Sequence, residues 1–214
     1  MTVTVTPGAV KLSRRLLYAG AFSLLGYCAY VLIDTWTFQR REQREFGELL
    51  SVEAPTTPAT YVKESPPVGS GGLIGRLEIP SLGVSAIVIE GTNWATLQRA
   101  VGHIAGTAQP GQAGNVGISG HRDTFFRPLR NIHRNDIITL TTLSGKFHYR
   151  VVSTQVVDPT EVSVLDSGEG EAESLTLITC YPFYYVGSAP KRFVVQARQL
   201  GPAMPSDRSS VRAD

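Results

Sequence analysis

At 214 residues and a formal charge of +2, the chain has room for one good-sized domain with accessory segments, and its positive charge is too slight to argue for a nucleic-acid partner. Basic and acidic residues are interspersed rather than gathered in a stripe, and the few aromatics, 8%, form no base-stacking pattern. Cys28 and Cys180 lie too far apart to suggest a disulfide scaffold, and the His and Cys residues never fall at metal-ligand spacing, so neither a metal nor another cofactor is expected.

The first predicted element is an uncharged apolar run, Leu16 to Ile33 (LLYAGAFSLLGYCAYVLI). As a helix it would span roughly 27 Å, close to the hydrocarbon thickness of a bilayer, about 30 Å. Lys11, Arg14 and Arg15 precede it, whereas Arg40, Arg41 and Arg44 after it are offset by Glu42, Glu45 and Glu48. Acidic residues weigh little in setting orientation, so the bias is weak, but the basic cluster favours residues 1–15 in the cytoplasm and the bulk of the chain outside. The run is long for a signal-peptide core and no small-x-small site follows, which predicts an uncleaved signal-anchor at 16–33. Residues 34–72 read as a stalk. Asp34 to Leu50 is rich in helix formers, with Trp36 near the water interface and Gly47 weakening the end, and residues 51–72 form a flexible spacer with Pro55, Pro58, Pro66, Pro67 and a Gly-Ser-Gly-Gly finish.

Residues 73–200 have the pattern of an all-β domain: short β-rich runs punctuated by turn signals. Strands are predicted at Leu73–Ile79, Val84–Glu90, His103–Thr107, Asn115–Gly120, Asp136–Thr142, Lys146–Val157, Ser174–Cys180 and Arg192–Leu200. One helix is predicted at Asn93–Ala100 with Asn93 as N-cap, and helical turns near Phe125–Ile132 and Val162–Asp166. That many strands in so short a stretch imply a closed barrel or a sandwich, and periodicity does not choose between them. The tail, 201–214, is expected to be disordered.

Three residues in this domain have complementary chemistry. Cys180 ends one predicted strand, Arg192 begins the next, and His121 follows the run Asn115–Gly120. A thiol becomes a nucleophile as thiolate, and imidazole is its usual partner. At reference pKa values of about 8.5 and 6.5, an uncoupled pair holds only roughly 1% of the thiolate–imidazolium form relative to the neutral one. An arginine stays protonated and cannot act as base, but it can donate to a developing oxyanion. Each residue also has an ordinary reading, as core thiol, turn histidine or surface cation, and His103, His133 and His148 compete with His121 for the base role.

The stretch Gly114-Asn115-Val116-Gly117-Ile118-Ser119-Gly120-His121-Arg122-Asp123 resembles the surroundings of the catalytic histidine in sortases, and Thr176-Leu177-Ile178-Thr179-Cys180 is similar to their TLxTC motif. Arg192, within Pro190-Lys191-Arg192-Phe193, stands where that family has its essential arginine, and the Cys180-Tyr181-Pro182-Phe183 continuation resembles the class D branch most. The resemblance covers about 73–200 and implies an eight-stranded barrel, with His121 as general acid/base, Cys180 as nucleophile, Arg192 as oxyanion or carbonyl donor, and Thr179 in substrate contacts. It further implies a cysteine transpeptidase held on the extracytoplasmic side of the membrane. Such an enzyme cleaves a C-terminal sorting signal of a secreted protein through a thioester and passes the acyl group to an amine of peptidoglycan or a protein lysine. The alternatives are a hydrolase on the same scaffold and a non-catalytic anchored binding barrel.

Overall fold

The computed structural model describes residues 7–52, 72–167 and 173–201; most of the expected Pro/Gly spacer, the first six residues and the tail beyond 201 lie outside the described residues. The chain divides into two compact units, residues 1–38 and 39–214. Helix α1, Pro7–Val52, carries the apolar run. Its stretch Ser13–Arg41 contains an 18-residue window of mean hydropathy 1.8 and is long and apolar enough to cross a membrane. Leu16, Leu17, Phe22, Leu24, Leu25 and Leu32 are all exposed, a state that water penalises and lipid does not. Toward its end the hydroxyls of Thr35 and Thr37 donate to the Val31 and Asp34 carbonyls, both at 3.0 Å, so these polar groups are satisfied within the helix. Gly47 does not end α1, because a penalty of about 1 kcal/mol is small against the helix formers around it.

The β unit resolves the choice that periodicity left open. Strands β1 Leu73–Ile79, β2 Val84–Glu90, β3 Val101–His103, β4 Asn115–Ser119, β5 Ile137–Thr142, β6 Gly145–Val157, β7 Ser174–Tyr181 and β8 Lys191–Gln199 close into a barrel in the order β1-β2-β3-β4-β7-β8-β6-β5. Closure satisfies strand edges that would otherwise be open to pairing with other chains. Pairing is antiparallel except between β2 and β3 and between β4 and β7. The first parallel pair is bridged by helix α2, Trp94–Arg99, whose N-cap Asn93 accepts from Thr96 N at 3.0 Å. The second is bridged by the long excursion through β5 and β6.

Strand alternation fills the interior. Leu77, Ile79, Ile118, Leu140, Leu175 and Leu177 are fully buried in one core, each worth about 1.5–3 kcal/mol in transfer terms. At the β1–β5 seam the strands approach so closely that a Cβ on Gly75 would stand 2.1 Å from the Thr141 carbonyl oxygen. No side chain fits there.

The third strand lies earlier than the predicted His103–Thr107. It is the short Val101–His103, and the chain turns immediately after it. Thr107 donates its amide and its hydroxyl to the Ile104 carbonyl, at 3.1 and 2.7 Å, and Gly106 takes a φ of +87°. His103 is buried with Nδ1 2.9 Å from Glu90 Oε2 and Nε2 3.0 Å from the Ala108 carbonyl. The Thr107 hydroxyl, which donates to the Ile104 carbonyl, also stands 3.1 Å from Nε2, so the ring is held from both sides. The predicted helical turns are the 3-10 segments Arg127–Asn131 and Ser163–Leu165.

Tyr149 on β6 is fully buried, and burial, reinforced by the negative charge of Glu173, pushes its phenol well above the ordinary value. The folded state therefore keeps a proton that the unfolded chain releases, and this contribution to stability is intact below about pH 10 and declines as pH rises beyond it. Tyr149→Phe should flatten the alkaline limb of a stability-against-pH curve measured by denaturant unfolding; an unchanged limb would contradict this origin.

Candidate active site

The site is assembled by pairing register. β4 runs parallel to β7 with Gly117 opposite Thr176, Ile118 opposite Leu177 and Ser119 opposite Ile178. Beyond the last rung the Gly120 amide donates to the Ile178 carbonyl at 3.1 Å, and the Thr179 hydroxyl donates to the Gly120 carbonyl at 2.8 Å. The next residues along the two chains are His121 and Cys180. On the other side of β7, Cys180 is the direct antiparallel partner of Arg192. Neighbouring strands lie about 4.8 Å apart, so the imidazole, thiol and guanidinium residues stand abreast at one rim.

Side-chain alternation fixes the face. Leu175, Leu177 and Thr179 of β7 are buried toward the barrel interior, which directs Thr176, Ile178 and Cys180 to the outer face. That outer surface is walled by two connections. A Cβ on Gly117 would meet Leu165 Cδ2 at 2.9 Å and Thr107 Cγ2 at 3.0 Å, from the β6–β7 and β3–β4 connections. The Thr176 hydroxyl reaches the same β6–β7 connection through the Val164 carbonyl, 3.3 Å away, and reaches Asn115 Oδ1 of β4 at 3.0 Å. The two connections therefore pack onto the outer face of β4 and β7 below the rim.

Cys180 is a half-buried free thiol. His121 is half-buried, and its Nε2 is shielded from solvent with no hydrogen-bond partner. An unpaired buried ring nitrogen is costly and is common where chemistry needs it. The indole of Trp94 stands edge-on to this imidazole, centroids 5.6 Å apart, while remaining largely exposed itself. Arg192 donates from Nη1 to the carbonyls of Ala189 and Lys191, at 3.3 and 3.0 Å; its remaining nitrogens make no hydrogen bond among the described residues. Thr179, expected to touch substrate, is buried with its hydroxyl engaged to Gly120, so its visible work is to tie β7 to the residue before His121.

The competing histidines separate from the rim. His103 is sealed against Glu90 with both nitrogens engaged. His148 sits opposite Thr139 on the β5–β6 pair, beside the strand start rather than the Arg192 end. His133 is exposed beyond the 3-10 turn. Sequence reasoning gave no role to Trp94 or to Arg122, whose position directly after His121 was the available signal. Among the described residues no group of three or more His, Cys, Asp or Glu could hold a metal ion.

Gly120 sets the exit of β4: a Cβ there would lie 2.8 Å from the ring of Phe126, which is fully buried. Gly120→Ala should therefore displace Phe126 or the strand end and lower stability by about 1–3 kcal/mol, as overpacking does. A denaturant midpoint within error of the parent would show that the ring yields freely.

A Sortase domain model matches residues 77–200. The chain is 33% identical over 193 residues to sortase D of Bacillus subtilis, covering 85% of this chain and 94% of that protein. It is 32% identical over 134 residues to sortase A of Listeria monocytogenes, covering 61% and 59% respectively. Among solved structures, a sortase D5 transpeptidase of Clostridium perfringens superposes with a TM-score of 0.63 at 26% identity, over 77% of this chain and 99% of that one.

Proposed function

The chain belongs to the sortase family, whose members are cysteine transpeptidases, and from that premise we propose that Cys180, His121 and Arg192 carry the reaction. The observation that supports this most is the register at the rim, with His121 following the β4 rung beside Cys180 and Arg192 paired across from it. In the proposed sequence the Cys180 thiolate attacks the scissile carbonyl, and Arg192 donates to the oxygen as negative charge develops there. The C–N bond then breaks, and the His121 imidazolium gives its proton to the departing amine. This leaves a thioester and a neutral imidazole. An incoming amine loses a proton to that imidazole, attacks the thioester carbon, and expels the thiolate. Atoms and charge return to the starting state.

The substrate proposed is a secreted protein with a C-terminal sorting signal, and the acceptor an amine of peptidoglycan or a protein lysine. The apolar helix supports anchoring in the cell membrane, with residues 1–15 inside, 16–33 spanning, 34–72 as stalk and 73–200 as the catalytic barrel on the extracytoplasmic side. Anchoring raises the effective concentration of a catalyst toward substrates confined to the same surface, which offsets a small active-thiol population. Class D character is proposed from Cys180-Tyr181-Pro182-Phe183.

The direct test incubates the full chain in detergent micelles with LPxTG-like peptides and an amine, reading acyl adducts by mass spectrometry. An adduct on Cys180 that Cys180→Ala abolishes is expected; no adduct with any peptide would sink the reading. Arg192→Lys should lower turnover about 10²-fold or more, because an ammonium lacks the planar fork, and near-normal turnover would remove the oxyanion role. The rate should also pass through a maximum with pH, since thiolate and imidazolium must coexist; a monotonic profile would contradict the shared-proton mechanism.

A further inference from the structure

Arg122 is buried, with only 6% of its surface exposed, although a guanidinium is charged at every accessible pH. Its nearest carboxylate, Asp123, is itself exposed and 3.5 Å from Nε, too weak a partner to account for the burial. The guanidinium instead donates to three carbonyls of the loop between β7 and β8: Nη1 to Pro182 at 2.9 Å, and Nη2 to Tyr185 at 2.6 Å and Gly187 at 3.2 Å. The same group lies 5.9 Å from the centroid of the Tyr185 ring.

Apart from Arg192 Nη1, which donates to the Ala189 carbonyl at 3.3 Å near its far end, the loop has few other holds. Its base is fixed by Tyr181, Phe183 and Phe193, whose rings pack with centroids 5.3 to 6.3 Å apart. Beyond that base, Tyr184, Tyr185, Val186, Gly187 and Ser188 are exposed. Within the loop the backbone makes one long hydrogen bond, Tyr185 N to the Pro182 carbonyl at 3.4 Å. Arg130 reaches the Tyr184 hydroxyl at 2.6 Å, but in an exposed position where such contacts contribute little.

We propose that Arg122 is a positioning residue: as a buried clamp on the β7–β8 loop, it locks the segment joining Cys180 to Arg192 onto the residue next to His121. The proposal rests on the transpeptidase reading for its consequence, while the clamp itself rests on geometry. One planar fork spans carbonyls that no single ammonium can reach together, so the identity of the cation matters and not its charge alone. The peptide bond between His121 and Arg122 makes any displacement of the clamp a displacement of the imidazole. A shift of that kind near 1 Å is enough to lower a rate about 10²-fold.

The test compares the full chain in detergent with its Arg122→Lys and Arg122→Gln variants by native-state cleavage with chymotrypsin, by hydrogen exchange of the strands and by single-turnover acylation of Cys180. Cleavage after Tyr184 or Tyr185 should be at least about tenfold faster in the variants while strand amides keep their protection, since local opening is read separately from global unfolding. The acylation rate constant should fall about 10- to 100-fold, with the half-saturating peptide concentration changing far less. Parental cleavage in the loop would overturn the clamp, and so would a loosened loop with parental acylation. Equal loss of protection in the strands of both variants would make Arg122 a barrel-stability residue and overturn it as well. If the parent forms no acyl-enzyme with any peptide, the transpeptidase reading fails on its own. The clamp is then decided by loop cleavage together with the rate at which iodoacetamide alkylates Cys180, which should differ between parent and variants.

Discussion

Everything at the rim depends on the parallel pairing of β4 with β7. Antiparallel neighbours can be joined by a tight turn, but parallel ones need a crossover, and here the whole β5–β6 hairpin and the connection after it fill that role. Parallel pairing makes the two strands end on the same side, so the residues leaving them, His121 and Cys180, emerge together. The antiparallel β7–β8 pair then brings Arg192 to the same level from the opposite chain direction. A slip of one residue in either ladder would turn one of the three side chains into the core. The buried Leu175 and Leu177 and their β4 partners Val116 and Ile118 oppose such a slip, so core packing far from the chemistry holds the chemistry in register.

Much of this was legible in the chain. Alternating β-branched and aliphatic residues marked all the strands but one to within a residue or two, and Asn93 announced its helix. The exception, β3, was misplaced because Ile104-Ala105-Gly106-Thr107 reads as extended by composition, whereas the Thr107 side chain and the Gly106 backbone make a turn. The TLxTC and Gly-His-Arg-Asp stretches pointed to the rim, and periodicity could not have done so, since no spacing rule says that residues 121, 180 and 192 meet. Arg122 stayed silent for the same reason. Its partners are backbone carbonyls some sixty positions onward, and carbonyls carry no sequence signature. Thr179 adds something the motif does not announce: the fold uses its hydroxyl as a strand-to-strand tie to Gly120.

Both faces of β4 are shaped as much by what is missing as by what is present. Gly117 leaves room for Leu165 and Thr107 to close down on the outer face, and Gly120 leaves room on the inner side for the buried Phe126 ring. Small residues at these two points allow segments from distant parts of the chain to approach the strand from either side. The barrel interior is therefore free to be packed for stability, and the outer surface to be shaped for recognition.

The β3 strand is the barrel's thinnest stave: it meets β4 through two residue pairs and β2 through three. Its Val101 lies in the hydrophobic core, and its end is fastened by polar groups, the Glu90–His103 pair with the Ala108 carbonyl and Gln109 amide around it. The stave with the fewest rungs is thus riveted by side chains at the point where its own ladder runs out.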